Sequence, residues 1–199
     1  DHWYNYVTNP VLAASGIVLE GFTTRLPDLF VAVSEYTASR LAAKFEVDKK
    51  RIRIIFNGVD LQLANSVKAE RDPHKIVYIG RLNPHKRIDL LIDAYGIVKR
   101  EVPQARLEII GDGPFKDVYR RYAKESNIGD ITFLGAVSDR ELFRQLKSAR
   151  VYVLPSIREG QSITTLEAMA AGTPQIVVAS NGTAAPDIVL RSKSGLISK

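Results

Sequence analysis

The chain of 199 residues contains no cysteine. A disulfide framework and a zinc–thiolate site are therefore excluded, because both require thiol groups. The sequence also has no apolar run that approaches the roughly 18 residues needed to span a bilayer, and no internal repeat or low-complexity tract. Its composition is mixed, with 45% hydrophobic and 25% charged residues. These proportions are typical of a globular protein that buries a sizeable core.

Several common nucleotide and catalytic motifs are also missing. There is no GxxxxGK[ST] phosphate loop. The stretch 111–114 (GDGP) lacks the third glycine of GxGxxG and ends in proline, so it predicts a tight turn that opens a helix and not an NAD site. The histidines at 2, 74 and 85 all lie in polar segments, so the sequence gives no indication of a Ser-His-Asp triad.

The net charge of +6 indicates some anionic partner. The basic residues are spread along the chain and do not form an arm with interleaved aromatics, as a nucleic-acid-binding segment would. This pattern favours a solvated basic face together with a local phosphate site. We therefore expect no nucleic-acid partner.

Strands and helices alternate steadily from Lys75 onward. The predicted strands cover 75–80, 106–110, 131–134, 151–154 and 175–179, and the predicted helices cover 87–101, 115–126, 138–149 and 163–171. This alternation predicts an α/β fold with a doubly wound, Rossmann-like parallel sheet that helices cover on both faces. Ligands of such sheets bind at the carboxyl ends of the strands, and Gly80, Gly111, Gly135 and the loop 155–163 all lie there.

The first part of the chain forms a separate and incomplete α/β piece. Residues 1–60 predict a helix from Pro10 to about Arg25, strands at 29–33 and 51–56, and a helix at 35–45. The stretch 61–73 is polar, charged and ends in proline, so we interpret it as an interdomain linker. Residues 74–199 then form the second domain. Apolar residues of the first piece lead us to expect either self-association of this fragment or mobility of that piece.

Two carboxylates mark the candidate site. Glu159 follows a short apolar strand, and Glu167 lies in a short helix that Gly172 and Pro174 terminate. The loop between them offers backbone N–H groups at a helix N-terminus, which favours an anion. Taken alone, Glu167 could equally be a residue that only complements the helix dipole. A second cluster, the basic turn 80–87 (GRLNPHKR) after a strand, favours a site for a sugar phosphate.

Motifs along most of the chain resemble those of glycosyltransferase family 4, which comprises retaining enzymes of the GT-B fold that use nucleotide-sugar donors. The resemblance rests on VAVSEYT (31–37), RIIFNGVD (53–60), YIGRLNPHKRIDLLIDAY (78–95), IIGDGP (109–114), FLGAV (133–137) and VLPSIREG through AAGTP (153–174). It implies that the chain is a segment of a longer enzyme. Residues 74–199 would be the donor-binding domain, truncated at its C-terminal end, and residues 1–60 the tail of the acceptor-binding domain.

The resemblance also implies roles for individual residues. Arg81 and Lys86 match the basic pair that binds the donor diphosphate, and Glu159 matches the residue that contacts the transferred sugar. These are the predicted catalytic residues. Glu167 matches the residue that holds the ribose hydroxyls.

The remaining predicted donor-binding residues act through backbone groups and packing. Gly160, Gln161, Ser162 and Ile163 match the loop whose amides meet phosphate and sugar. Ser162 stands where many relatives have glycine, which leaves the loop geometry open. The set is completed by the residues that would pack on the nucleobase and by two strand-end glycines: Leu134, Gly135, Val137, Gly80 and Gly111.

The resemblance implies retaining hexosyl transfer from a UDP-, GDP- or ADP-sugar to a carbohydrate or lipid-linked acceptor, with no metal and no other cofactor required. The fragment alone should be inactive in transfer, because the acceptor site is incomplete. We expect a cytoplasmic enzyme whose full-length form associates peripherally with the cytoplasmic membrane face. His2 lies near a functional histidine of the family but receives no role. Two alternatives stay open: a glycoside hydrolase that uses Glu159 and Glu167, and a non-catalytic nucleotide-binding module.

Overall fold

The computed structural model describes residues 9–198; His2 lies outside them. The chain forms two compact units, one up to Phe56 and the other from Asn57 onward. We call them the N-terminal unit and the C-terminal unit. In the described part of the chain, no helix is both long and apolar enough to cross a membrane.

From residue 9 onward, the N-terminal unit has two α-helices and two short strands. They are α1 (Pro10–Thr23), β1 (Phe30–Ala32), α2 (Glu35–Phe45) and β2 (Ile52–Ile54). The strands pair in parallel, and Asn9 and Ser34 cap the helices through their side chains. The cluster between α2 and the strands centres on Ala32, Val47 and Ile52. The predicted elements of this piece are thereby confirmed: the helix at 35–45 has the predicted bounds, and the other ends differ by at most two residues.

The C-terminal unit contains a six-stranded parallel sheet, and helices alternate with its strands along the chain. Its elements are α3 (Leu61–Ser66), β3 (Lys75–Ile79), α4 (Ile88–Glu101), β4 (Arg106–Ile110), α5 (Lys116–Glu125), β5 (Ile131–Gly135), α6 (Asp139–Ser148), β6 (Val151–Leu154), α7 (Ile163–Ala170), β7 (Gln175–Val178), α8 (Ala185–Ser192) and β8 (Gly195–Ser198). The α/β doubly wound class is confirmed. Helix α8 was not predicted.

The strand order places a topological switch point beside β3. The order across the sheet is β5-β4-β3-β6-β7-β8, so the chain moves outward from β3 to β5 and then returns to the other side of β3. Loops that follow β3 and β6 therefore diverge at the carboxyl edge and leave a crevice there. Fully buried side chains from adjacent strands, including Tyr78 and Tyr152, pack beneath this edge.

The interpretation of 61–73 as a linker is wrong for this structure. Asp60 caps α3, because its side-chain carboxylate accepts a hydrogen bond from the Leu63 amide. Ala64, in the same helix, is completely buried in the core of the C-terminal unit. Further along, the Asp72 amide donates to the Ser148 carbonyl at 2.8 Å. Residues 61–73 are thus attached to the C-terminal unit by their few apolar side chains. Burial of these side chains outweighs the tendency of a mostly polar stretch to form a loop.

Candidate functional site

One of the two predicted basic residues, Lys86, meets the predicted glutamate Glu159 at the switch point. Lys86 ends a single 3-10 turn (Pro84–Lys86) after β3, and Glu159 follows β6. The Lys86 Nζ lies 2.5 Å from the Glu159 Oε1, and the two side chains are only 15% and 11% exposed. The attraction between two charges so sheltered from water is screened less than in a surface pair, and loss of either partner leaves the other charge desolvated.

Backbone groups hold the two loops of this ion pair together. The Ile157 amide donates to the His85 carbonyl at 3.0 Å, and the Ser156 hydroxyl donates to the same carbonyl at 3.3 Å. His85 thus contributes through its main chain, although its side chain received no role. Because the contact lies next to Lys86, it fixes the β6 loop against the residue that pairs with Glu159.

The second glutamate lies on α7 and is half-buried. Burial raises the pKa of Glu167 above its usual value, and the nearby Asp139 carboxylate adds to this effect. Ser162 caps the helix, its hydroxyl accepting from the Thr165 amide at 3.3 Å. Its φ of −77° is ordinary, so serine in place of glycine causes no backbone strain here.

A cavity of about 470 Å³ opens at the same edge of the sheet. It is bordered by the ends of β3 and β4, the segment after β5 and the first turn of α7. Four predicted residues, Gly80, Arg81, Gly111 and Val137, line it together with Ile79, Ile110, Asp112, Gly113, Ala136, Leu142 and Thr164. Thr164 belongs to the helix that carries Glu167, so this cavity adjoins the N-terminus of α7.

Glycines allow the strand ends to approach closely. The Gly80 amide donates to the Ile110 carbonyl at 3.0 Å, and the Gly111 amide donates to the Gly135 carbonyl at 2.8 Å. A methyl group on Gly111 would lie 2.0 Å from the Gly80 carbonyl oxygen, and the φ of Gly111 is +127°. No other residue fits without displacing the backbone. One border of the cavity is therefore main chain.

The other predicted residues occupy less enclosed positions. Arg81 is exposed, and its carbonyl accepts from the buried Tyr78 hydroxyl at 3.2 Å. The Gln161 side-chain oxygen accepts from the Asn57 amide at 2.8 Å, so this side chain anchors the segment before α3. Leu134 is 42% exposed and is not among the residues that border the cavity.

Sequence reasoning missed three features of the site. Tyr152 lies inside β6, completely buried, and its pKa is raised first by burial and then by Glu159. Thr164 borders the cavity, and the segment after β7 contacts the backbone of Glu159. No local pattern identifies these residues, because their proximity follows from the strand order. Among residues 9–198, no group of three or more histidine, cysteine or acidic side chains could hold a metal ion.

The chain belongs to the glycosyl transferases group 1 family, whose match covers residues 62–199. Residues 1–63 match glycosyltransferase family 4. The resemblance inferred from the motifs is thereby confirmed. The two family matches overlap at residues 62–63, whereas the sequence boundary between the compact units follows Phe56.

Curated relatives and solved structures agree with this assignment. The chain is 32% identical over 188 residues to the GDP-mannose-dependent alpha-(1-6)-phosphatidylinositol monomannoside mannosyltransferase of Mycobacterium tuberculosis (strain ATCC 25618 / H37Rv), covering 85% of this chain and 48% of the relative. It is 29% identical to the putative colanic acid biosynthesis glycosyltransferase WcaL of Escherichia coli (strain K12), covering 86% and 44%. The chain thus spans about half the length of the curated relatives it matches.

Two solved structures share the fold at low identity. Anabaena Alr3699/HepE in complex with UDP-glucose superposes with a TM-score of 0.74 at 19% identity, covering 88% of this chain and 51% of that one. A mutant of S. aureus TarM, in complex with Fondaparinux, alpha-GlcNAc-glycerol and UDP, gives 0.77 at 22% identity, covering 88% and 34%. The parallel sheet with its flanking helices is therefore that of GT-B glycosyltransferases.

Proposed function

We propose that this chain supplies the donor site of a retaining glycosyltransferase that moves a hexosyl group from a nucleotide diphosphate sugar to an acceptor. The observation that carries the proposal is the convergence at the switch point. A sheltered Lys86–Glu159 pair lies there, and at the same edge Arg81 borders a cavity beside the helix that carries Glu167. Cations and a helix N-terminus suit a diphosphate, and carboxylates suit sugar hydroxyls.

In this mechanism the acceptor hydroxyl attacks the anomeric carbon from the face of the departing diphosphate. The bond between that carbon and the phosphate oxygen breaks, and the departing oxygen takes the acceptor proton. Arg81, Lys86 and the N-terminus of α7 stabilise the charge that develops on the diphosphate. Neither a protein nucleophile nor a metal ion is needed in this scheme. Glu159 orients the sugar, and Glu167 orients the ribose.

The relatives indicate the class of ligands but leave the base and the acceptor open. One relative is named as GDP-mannose-dependent and acts on a phosphatidylinositol mannoside; two structures contain UDP-glucose or UDP. We propose a nucleotide-sugar donor and a carbohydrate or lipid-linked acceptor, met in the cytoplasm or at the cytoplasmic membrane face. Because the chain matches about half of its relatives, we propose that it binds donor but does not transfer sugar alone.

Calorimetric titration with UDP, GDP and ADP tests the donor site. We expect one nucleotide to bind, and Arg81→Ala to weaken it by about 1.5 to 3 kcal/mol, the usual worth of a hydrogen bond to a charged group. The matching nucleoside should be affected far less. Lys86→Ala should also weaken nucleotide binding, but it leaves the Glu159 charge unpaired, which affects the site by itself. Replacement of the exposed Arg81 avoids this second effect.

Lys68→Ala is the matched control. It removes the same charge from an exposed side chain that precedes β3, at the opposite edge of the sheet. Equal weakening of nucleotide and nucleoside by Arg81→Ala, or weakening by Lys68→Ala, would contradict the assignment of Arg81 to the phosphates.

A glycoside hydrolase is the second candidate, and one observation favours it. Glu167 has a raised pKa, as a general acid requires, while Glu159 pairs with a lysine, as a carboxylate nucleophile or base could. Release of sugar from an aryl glycoside in water, without any nucleotide, would support hydrolysis. Nucleotide release from a nucleotide sugar, dependent on acceptor and on the full-length enzyme, would support transfer.

A further inference from the structure

The loop between β7 and α8, residues 179–184, holds the main chain of Glu159. The Glu159 amide donates to the Gly182 carbonyl at 2.9 Å, and the Glu159 carbonyl accepts from the Ala184 amide at 3.0 Å. These bonds form a parallel bridge between Glu159 and Thr183. In addition, the Ser180 hydroxyl donates to the Ile157 carbonyl at 3.0 Å. Both backbone polar groups of Glu159 are thus committed to this loop.

Gly182 makes this close approach possible. A methyl group on Gly182 would lie 2.2 Å from the Ile157 carbonyl oxygen. That atom belongs to the main chain, so it cannot move aside as the end of a flexible side chain would. The loop is also anchored on its other side, because the buried Thr183 hydroxyl accepts from the Ala185 amide at 3.2 Å. A residue larger than glycine must therefore push apart the 179–184 loop and the segment that carries Glu159, which strains the backbone hydrogen bonds between them.

The Lys86–Glu159 ion pair lies between two such anchors. On the lysine side, the His85 carbonyl holds Ile157; on the glutamate side, the 179–184 loop holds Glu159. The other proposed donor contacts belong to different elements: Arg81 follows β3, and Glu167 lies on α7. A shift of the Glu159 segment would therefore change the contact to the sugar and leave most contacts to the nucleotide in place.

We propose that the 179–184 loop, with Gly182 at its closest contact, is a positioning element that fixes the Glu159 carboxylate and thereby sets the preference of the site for a nucleotide sugar over the free nucleoside diphosphate. This inference rests on the proposed donor function. Gly182 has the role of a positioning residue here, since it acts through the main chain of Glu159.

The test compares Gly182→Ala with Asn181→Ala in the same chain. Each variant is titrated with GDP and GDP-mannose, UDP and UDP-glucose, and ADP and ADP-glucose. Gly182→Ala should reduce the preference for the sugar-bearing ligand by about tenfold, equivalent to 1.4 kcal/mol, with little change for the free diphosphate. Asn181 is exposed, so Asn181→Ala should change neither. In a Glu159→Gln background, Gly182→Ala should have no further effect on the preference, because coupled residues are non-additive.

Amide hydrogen exchange gives a second measurement that needs no ligand. Gly182→Ala should accelerate exchange at the Glu159 and Ala184 amides, while amides of the central strand β4 keep their protection. Equal loss of affinity for both ligands together with a lowered Tm would overturn the proposal in favour of a general structural role. Unchanged preference together with unchanged exchange would also overturn it.

The two measurements separate this inference from the donor function on which it rests. If the unsubstituted chain binds none of these ligands, the proposed donor function fails. Faster exchange confined to Glu159 and Ala184 would then still support the positioning role of Gly182, and unchanged exchange would refute it.

Discussion

The two units of the chain differ in how much apolar surface they bury. The C-terminal unit has a continuous core along six strands, in which Leu107 and Ile109 have no exposed surface. The described part of the N-terminal unit has two strands of three residues each and a small cluster around Ile52. Its helix α1 leaves Leu12, Leu19 and Phe22 each 60% exposed; apolar residues of this piece are the basis on which we expect self-association or mobility.

This difference shows which unit can specify its own structure. Two-stranded sheets are marginal in water, and small pieces bury too little surface to offset chain entropy. The C-terminal unit also contains every residue assigned to the donor site. We infer that folding stability and ligand binding reside together in that unit, and each prediction below tests this separation.

The largest expected effect comes from dividing the chain after Phe56. Residues 57–199 should unfold cooperatively and bind nucleotide as the whole chain does, whereas residues 1–56 should lack stable structure, because their core is too small. Circular dichroism melting and calorimetric titration of both pieces measure this. A cooperative transition in the N-terminal piece, or lost affinity in the C-terminal piece, would show that the units are not separable in this way.

Leucine truncation should sharpen the comparison within the intact chain. Leu107→Ala removes a fully buried side chain and should lower the free energy of unfolding by about 2 to 5 kcal/mol. Leu12→Ala makes the same chemical change at a 60% exposed position and should lie within about 0.5 kcal/mol of the parent. Urea denaturation compares the two. Similar losses would mean that Leu12 is covered in solution, as self-association of the chain would do.

The predictability of the fold follows the same division between local and non-local information. Strands from β3 to β7 and helices from α4 to α7 were found because apolar periodicity and punctuation by glycine and proline are local signals. Helix α3 was missed because charges around it masked the apolar residues Leu63 and Ala64, although Asp60 offered a capping signal. Helix α8 was missed because the segment before it begins with a turn-like SNG stretch.

The candidate site was predicted as a set of residues but not as a geometry. Motif resemblance selected Lys86 and Glu159, yet their ion pair joins residues far apart in sequence and depends on β3 and β6 being neighbours. The close contact between Gly182 and the Ile157 carbonyl likewise joins residues far apart in sequence. Strand order is a property of the whole sheet, so no local pattern reports such contacts.

Replacement of Glu159 should separate the two proposed ligand contacts. Glu159→Gln keeps the shape but removes the charge that pairs with Lys86. The lysine is then free to interact more strongly with a diphosphate, so affinity for the free nucleoside diphosphate should rise severalfold while the preference for the nucleotide sugar falls. Titration with both ligands measures this. The control is Glu141→Gln, which removes the carboxylate that pairs with Arg144 on α6. A fall in affinity for the free diphosphate would contradict this role of the ion pair.

The smallest expected effect is a pH dependence that belongs to Glu167. Its pKa is raised by burial and by Asp139, and the carboxylate form is the better acceptor for two ribose hydroxyls. As pH falls through this raised pKa, the carboxyl group gains a proton, so nucleotide affinity should decline at a pH above that expected for an ordinary glutamate. The raised pKa also means that the charged form costs stability as pH rises. Glu167→Gln should therefore remove this step in affinity, weaken binding at neutral pH and slightly raise Tm there.

Calorimetric titration and thermal melts across pH 4 to 8 measure both effects. Both the whole chain and residues 57–199 are tested, and the two should give the same profile. A step that persists in Glu167→Gln would assign the titration to another group.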